Sequence, residues 1–289
     1  MRTIFLLSWI FLACKSSSQN MLVTPVNKII DTIHSKILNE DRFIWVQLPE
    51  VARQSKTKKF PVIFVLDAEA NFDATKNVLD DLSKEHFFKS GEDVILVGIG
   101  NIWLRYRDYT PSHIESSPWV DAFSAKTSGG GETFVSFLEK ELLPYVEKKY
   151  PVSSNRTLMG HSMGGLMVMN ILLKHKELFD NYVANDPSMW WDDKKLLKES
   201  VSILHDQDFK NKSLFLAIAN EQEKQMSMEE LKKDTSAKTV LIRPSFSLAD
   251  LIEKNKQNNL RFEWRFYKNE YHMTVNTPAT SDALRTILH

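Results

Sequence analysis

Residues 156–165 read Arg156-Thr157-Leu158-Met159-Gly160-His161-Ser162-Met163-Gly164-Gly165, a short strand-like run that ends in G-x-S-x-G and opens into the helical stretch Leu166–His175. Strand, sharp turn and helix form the context in which this motif has a mechanical meaning, because such a turn lifts a serine clear of the sheet edge. Gly160 and Gly164 lack the side chains that would crowd the turn, and the helix start behind Ser162 favours negative charge developing there. Ser162 is the candidate nucleophile.

Outward from this stretch, short apolar runs alternate with helical patterns. Strands are expected at Phe43–Leu48, Pro61–Leu66, Val94–Ile99, Arg156–Met159, Tyr182–Ala184, Leu214–Ala219 and Phe262–Tyr267. Several are continuously apolar, as strands covered on both faces should be. Between them, Thr133–Lys149 sets Phe134, Phe137, Leu138, Leu142, Tyr145 and Val146 on one stripe of a helix that Pro144 should kink. The alternation predicts an α/β fold, a mostly parallel central sheet with helices on both faces. No repeat and no internal domain boundary stands out, so residues 41–289 read as one domain, preceded by a tether and first-strand region at 14–40.

The composition narrows the function. Among 289 residues, 37 Lys plus Arg balance 37 Asp plus Glu, so no long-range field draws nucleic acid. Cys14 is the single cysteine, which excludes an internal disulfide and thiolate metal clusters. Residues 1–13, MRTIFLLSWIFLA, join a basic Arg2 to an apolar run too short for a membrane span of roughly 20 residues. They read as a secretory signal, and Phe11-Leu12-Ala13-Cys14 resembles a bacterial lipobox, which would place a lipidated Cys14 at the mature N-terminus. The expected location is the cell envelope, with attachment to a membrane through that cysteine.

A serine hydroxyl needs a base within hydrogen-bond reach. His175, His205, His272 and His289 follow Ser162. His272, just past the last strand, is where a loop can return an imidazole to the sheet edge, whereas the other three suit solvated or capping roles. The acid is expected after Leu214–Ala219, where Glu221, Glu223 and Asp234 compete and spacing does not choose among them. An oxyanion site needs two N–H groups aimed at the developing charge. Met163, after the nucleophile, offers one, and the turn at Asp67-Ala68-Glu69 offers the second through Ala68 or Glu69. Trp190 and Trp191 suit either a pocket wall or the core, and Arg105 and Arg107 either an anionic substrate group or ion pairs with Asp108 or Glu115. Gly129–Gly131 lacks the Lys-Ser or Lys-Thr of a phosphate loop and reads as a turn.

Taken together, Pro61–Asp67, Val97-Gly98-Ile99 with Arg107–Pro111, Gly160–Gly165 and Asp186-Pro187-Ser188-Met189-Trp190-Trp191 resemble the putative-esterase family of α/β-hydrolases, over about residues 43–288. That family includes esterase D, feruloyl and acetyl-xylan esterases and the siderophore esterases. The resemblance implies hydrolysis of a small-molecule ester through an acyl-enzyme, without metal or organic cofactor, with Ser162 and His272 carried over directly. Relatives with a similar late segment keep an aspartate resembling Asp234, so the resemblance implies Asp234 as the acid, although some siderophore esterases work with a Ser–His pair. Where relatives often read Leu-Asp-Gly, this chain has Ala68. A non-catalytic surface binding protein on the same fold and an acyltransferase to a sugar or lipid alcohol are the competing expectations.

Overall fold

The computed structural model describes residues 28–55, 57–84, 93–101, 103–220 and 226–288. The leader with Cys14, the acid candidates Glu221 and Glu223, and His289 lie outside the described residues.

Eight strands form one sheet: β1 (Lys28–Ser35), β2 (Glu40–Gln47), β3 (Phe60–Leu66), β4 (Ile95–Ile99), β5 (Val152–His161), β6 (Asn181–Asn185), β7 (Ser213–Ala219) and β8 (Arg261–Tyr267), in the order β1-β2-β4-β3-β5-β6-β7-β8. Pairings β1/β2 and β2/β4 are antiparallel, and every pairing from β4 to β8 is parallel. All seven strands expected by residue range are present, and β1 lies within the region 14–40. It pairs with β2, so the division expected at residues 40 and 41 falls at the start of β2 inside one continuous sheet. Its half-exposed sequence, Lys-Ile-Ile-Asp-Thr-Ile-His-Ser, carries the weak apolar signal of an edge strand.

Alternation along the buried strands explains the layers. On β3, Val62, Phe64 and Leu66 face one core while Ile63 and Val65 face the other; on β7, Leu214, Leu216 and Ile218 oppose Phe215, Ala217 and Ala219. The first core is closed by the helices Gly131–Phe137, Met163–Lys174, Trp191–Asp206 and Arg243–Lys254, and the second by Ala68–Lys84 and Asn276–Ile287. Both faces are thus covered, which is why these strands lack the polar alternation of a half-solvated sheet.

The expected Thr133–Lys149 helix is interrupted at Pro144. An α-helix from Gly131 to Phe137 widens into a π turn at Leu138–Leu142 and resumes at Leu143–Lys149 with the proline in its first turn. Because Pro144 brings no N–H, the wider turn ahead of it absorbs the missing i→i−4 bond. Phe134, Phe137, Leu138, Leu142 and Val146 still reach the core. Tyr145, partly buried against the same core, turns its hydroxyl to Asp31 of β1 at 2.7 Å.

Candidate active site

Four parallel strands deliver the site to their shared carboxyl edge. β5 ends at His161, and Ser162 sits at φ 61°, ψ −118° before the helix Met163–Lys174 begins. A β-carbon on Gly160 would stand 2.4 Å from the carbonyl oxygen of Gly164, so only glycine lets the chain fold back this sharply. The strained serine is fixed through its own main chain: its N–H donates to the Asn185 carbonyl at 3.0 Å, and its carbonyl accepts from Ser188 N–H at 3.1 Å and Leu166 N–H at 2.9 Å. The elbow is therefore bonded to the loop that follows β6.

His272 stands in the turn after β8, as expected. Its Nδ1 lies 2.6 Å from Asp186 Oδ2 and its Nε2 lies 2.9 Å from Ser162 Oγ. A carboxylate accepts and does not donate, so Nδ1 carries the proton and Nε2 receives the serine hydroxyl. Asp186 follows β6 at φ 44°; its N–H donates to the Ala217 carbonyl at 2.8 Å, and its Oδ1 accepts from Ala219 N–H at 3.0 Å. These bonds tie the carboxylate to β7 and leave Oδ2 for the imidazole.

The structure corrects the acid. Asp234 is the C-cap of the helix Met228–Lys233, where its carboxylate accepts from Ser236 Oγ at 2.6 Å and Thr239 Oγ1 at 2.8 Å. These bonds hold its carboxyl below the usual range. The first residue after β7 is buried Asn220, whose N–H donates to the Glu270 carbonyl at 2.8 Å and whose side-chain amide donates to the Lys268 carbonyl at 3.0 Å. The loop after β7 thus positions the histidine turn, and the loop one strand earlier supplies the carboxylate. One signal was present in the sequence: Asp186 closes an apolar strand, precedes a proline and falls between the serine and the histidine.

Met163 and Ala68 each occupy the first position of a helix, leaving β5 and β3 respectively, and these strands are parallel neighbours. The turn carrying Ala68 abuts the elbow, since a β-carbon on Gly164 would lie 3.3 Å from Asp67 Oδ2. The left-handed residue in this turn is Asp67, at φ 53°, so a side chain at position 68 meets no backbone conflict. Asp67 pairs with Arg105 at 3.0 Å. Burial pushes its carboxyl upward, with the guanidinium opposing. Arg107 pairs with Glu40 and Asp108, and Glu115 with His113. His175 and His205 meet Glu132 and Asp206, away from Ser162.

The two tryptophans divide. Trp191 is core, its Nε1–H donating to the Ser112 carbonyl at 3.0 Å. Trp190 lines both a small recess against Asp186, Ser188 and His272 and a cleft of about 520 Å³ shared with His113, Trp119, Asp192 and Leu241. Three successive residues on the rim of that cleft, Asp192, Asp193 and Lys194, are left-handed with φ of 48°, 48° and 61° and kink the Trp191–Asp206 helix near its start. This is a non-glycine turn that L-residues adopt only against a steric cost.

Residues 35–280 match the family model described as "Putative esterase". The chain is 25% identical over 266 residues to the ferri-bacillibactin esterase BesA of Bacillus subtilis (strain 168), covering 87% of this chain and 86% of that protein. It is 29% identical over 165 residues to the siderophore triacetylfusarinine C esterase of Aspergillus fumigatus, covering 54% of this chain and 55% of that one. Among solved structures, an IroE-like serine hydrolase from Shewanella oneidensis superposes with a TM-score of 0.79 at 31% identity, covering 90% of this chain and 80% of that one. The chain belongs to the putative esterase family: it is a serine hydrolase of carboxylic esters on an α/β-hydrolase fold.

Proposed function

We propose that ester cleavage runs through Ser162, His272 and Asp186. Asp186 fixes the tautomer of His272 that is unprotonated at Nε2, and this nitrogen takes the Ser162 proton as Oγ attacks the ester carbonyl. The tetrahedral oxyanion forms where two helices begin, and the Met163 and Ala68 N–H groups are among the donors that no helical carbonyl can meet. The imidazolium then protonates the departing alcohol, and water, activated by the same base, releases the acid from Ser162. The observation that carries this reading is the unbroken contact from Ser162 Oγ through His272 to Asp186, at 2.9 Å and 2.6 Å.

The substrate we infer is a siderophore ester. The names of the relatives support this, as does the 520 Å³ cleft, which shares the walls Trp190 and Leu241 with the recess at Asp186, Ser188 and His272 and falls in the size range of ligand sites, about 300–1,000 Å³. Export with lipidation at Cys14 is proposed on the leader sequence alone. Ser162→Ala should lower kcat on 4-nitrophenyl acetate and on a siderophore lactone by on the order of 10⁴ or more. Normal turnover by that variant would exclude the mechanism, and a parent enzyme active on the acetate but not on the lactone would exclude the substrate alone. Intact-mass analysis of the membrane fraction tests the anchor, and an unmodified Cys14 there would remove it.

A further inference from the structure

His161, the residue between the elbow glycine and the nucleophile, contacts neither Ser162 Oγ nor the acid. Its Nε2 lies 2.8 Å from the backbone carbonyl oxygen of His272, and its ring lies 4.5 Å from the His272 ring, centroid to centroid, tilted by 36°. A carbonyl accepts only, so Nε2 of His161 carries a proton and donates it. The other end of the same turn is held by Asn220, through the carbonyls of Lys268 and Glu270. The base is thus suspended between two anchors, one of them rigidly part of the nucleophile's own strand.

We infer that His161 is a positioning residue for the general base: its N–H holds the His272 main chain and its ring backs the imidazole, setting the distance from Nε2 to Ser162 Oγ. Three further features fit that role. His161 is the last residue of β5, so its backbone is paired to β6 and cannot drift relative to Ser162. The small polar recess on which His161 borders is lined by Asn71, Thr75, Asn185, Asn276 and Thr280, and Asn276 bridges to Asn71 and Asn185, each at 2.9 Å. Burial, then the neighbouring His272, pushes the His161 imidazole down to about 4, with the Asp186 carboxylate opposing and Arg105 adding to the depression. It therefore donates as a neutral ring and puts no second positive charge beside His272 when that residue takes the serine proton.

The role rests on Ser162 and His272 being the working pair, and the experiment separates the two ideas. In the full-length protein, His161→Leu keeps the bulk and loses the donor, whereas His161→Gln can restore an N–H to the carbonyl. His161→Leu should lower kcat on 4-nitrophenyl acetate by roughly 10- to 100-fold with KM nearly unchanged, the size of effect expected when a reacting group is displaced by about 1 Å. The low-field proton NMR signal of the His272 Nδ1–H held by Asp186 should broaden or vanish in His161→Leu, and His161→Gln should recover most of both the rate and the signal. Full activity and an intact signal in a folded His161→Leu protein would overturn the inference, as would a Gln variant no better than Leu. Turnover surviving Ser162→Ala would instead overturn the mechanism on which it rests.

Discussion

His272 and Asp186 meet at 2.6 Å across 86 positions of sequence, joining a loop after β8 to a loop after β6. The contact decides which nitrogen of the base is unprotonated. Asp186→Asn should therefore lower kcat by on the order of 10⁴, because an amide can present an N–H to Nδ1 and stabilise the wrong tautomer. Asp234→Asn, altering a carboxylate bonded only to its own turn among the described residues, should stay within about twofold of the parent. Steady-state kinetics on an activated aryl ester compare the two directly, and the reverse order of effects would restore Asp234 as the acid.

Gly160→Ala should be costly to folding. Its methyl group would lie 2.4 Å from the Gly164 carbonyl oxygen, a backbone atom that cannot rotate away. Relaxing this overlap should cost on the order of 3 kcal/mol, read as a lower urea midpoint.

Acid should weaken the fold through His161. Its imidazole is pushed down to about 4 in the folded chain, against about 6.5 when unfolded. Between these values the unfolded chain binds a proton that the folded chain refuses, so stability falls as pH drops from about 6.5 and the loss is complete below about 4. The contribution should reach at most about 3 kcal/mol. Urea titrations across this window should show a shallower slope for His161→Gln than for the parent, and equal slopes would refute the assignment.

Asp108 belongs to the fold rather than the chemistry. It is buried, paired with Arg42 and with Arg107, and touches none of Ser162, His272 or Asp186. Removing it leaves Arg42 with Glu40 as its remaining carboxylate. Asp108→Ala should cost about 3–5 kcal/mol of stability, while the protein that remains folded at low temperature should label with a fluorophosphonate at the parental rate.

Most of the architecture was legible in the sequence because buried parallel strands announce themselves as unbroken apolar runs. β1 was legible as a region without bounds, since half of it faces solvent and its role is to pair with β2 and to present Asp31 to Tyr145, Lys149 and Tyr150. Ser162 was legible from two glycines and a strand-to-helix change, and His272 from its place after the last strand. Asp186 was hidden by an assumption about strand order. Nothing in a linear spacing says which loop at the sheet edge carries the carboxylate, and it was sought in the segment after β7, at Glu221, Glu223 and Asp234.

The main-chain bonds from Ser162 to Asn185 and Ser188 have a consequence for how the enzyme fails. Nucleophile and acid are parts of one block, welded at the centre of the sheet, whereas the base reaches it on a loop beyond the edge strand β8, tied to the block by side chains that include His161 and Asn220. Gentle heating should release the imidazole first, so that catalysis is lost, and regained on cooling, several degrees before the far-ultraviolet dichroism reports any melting.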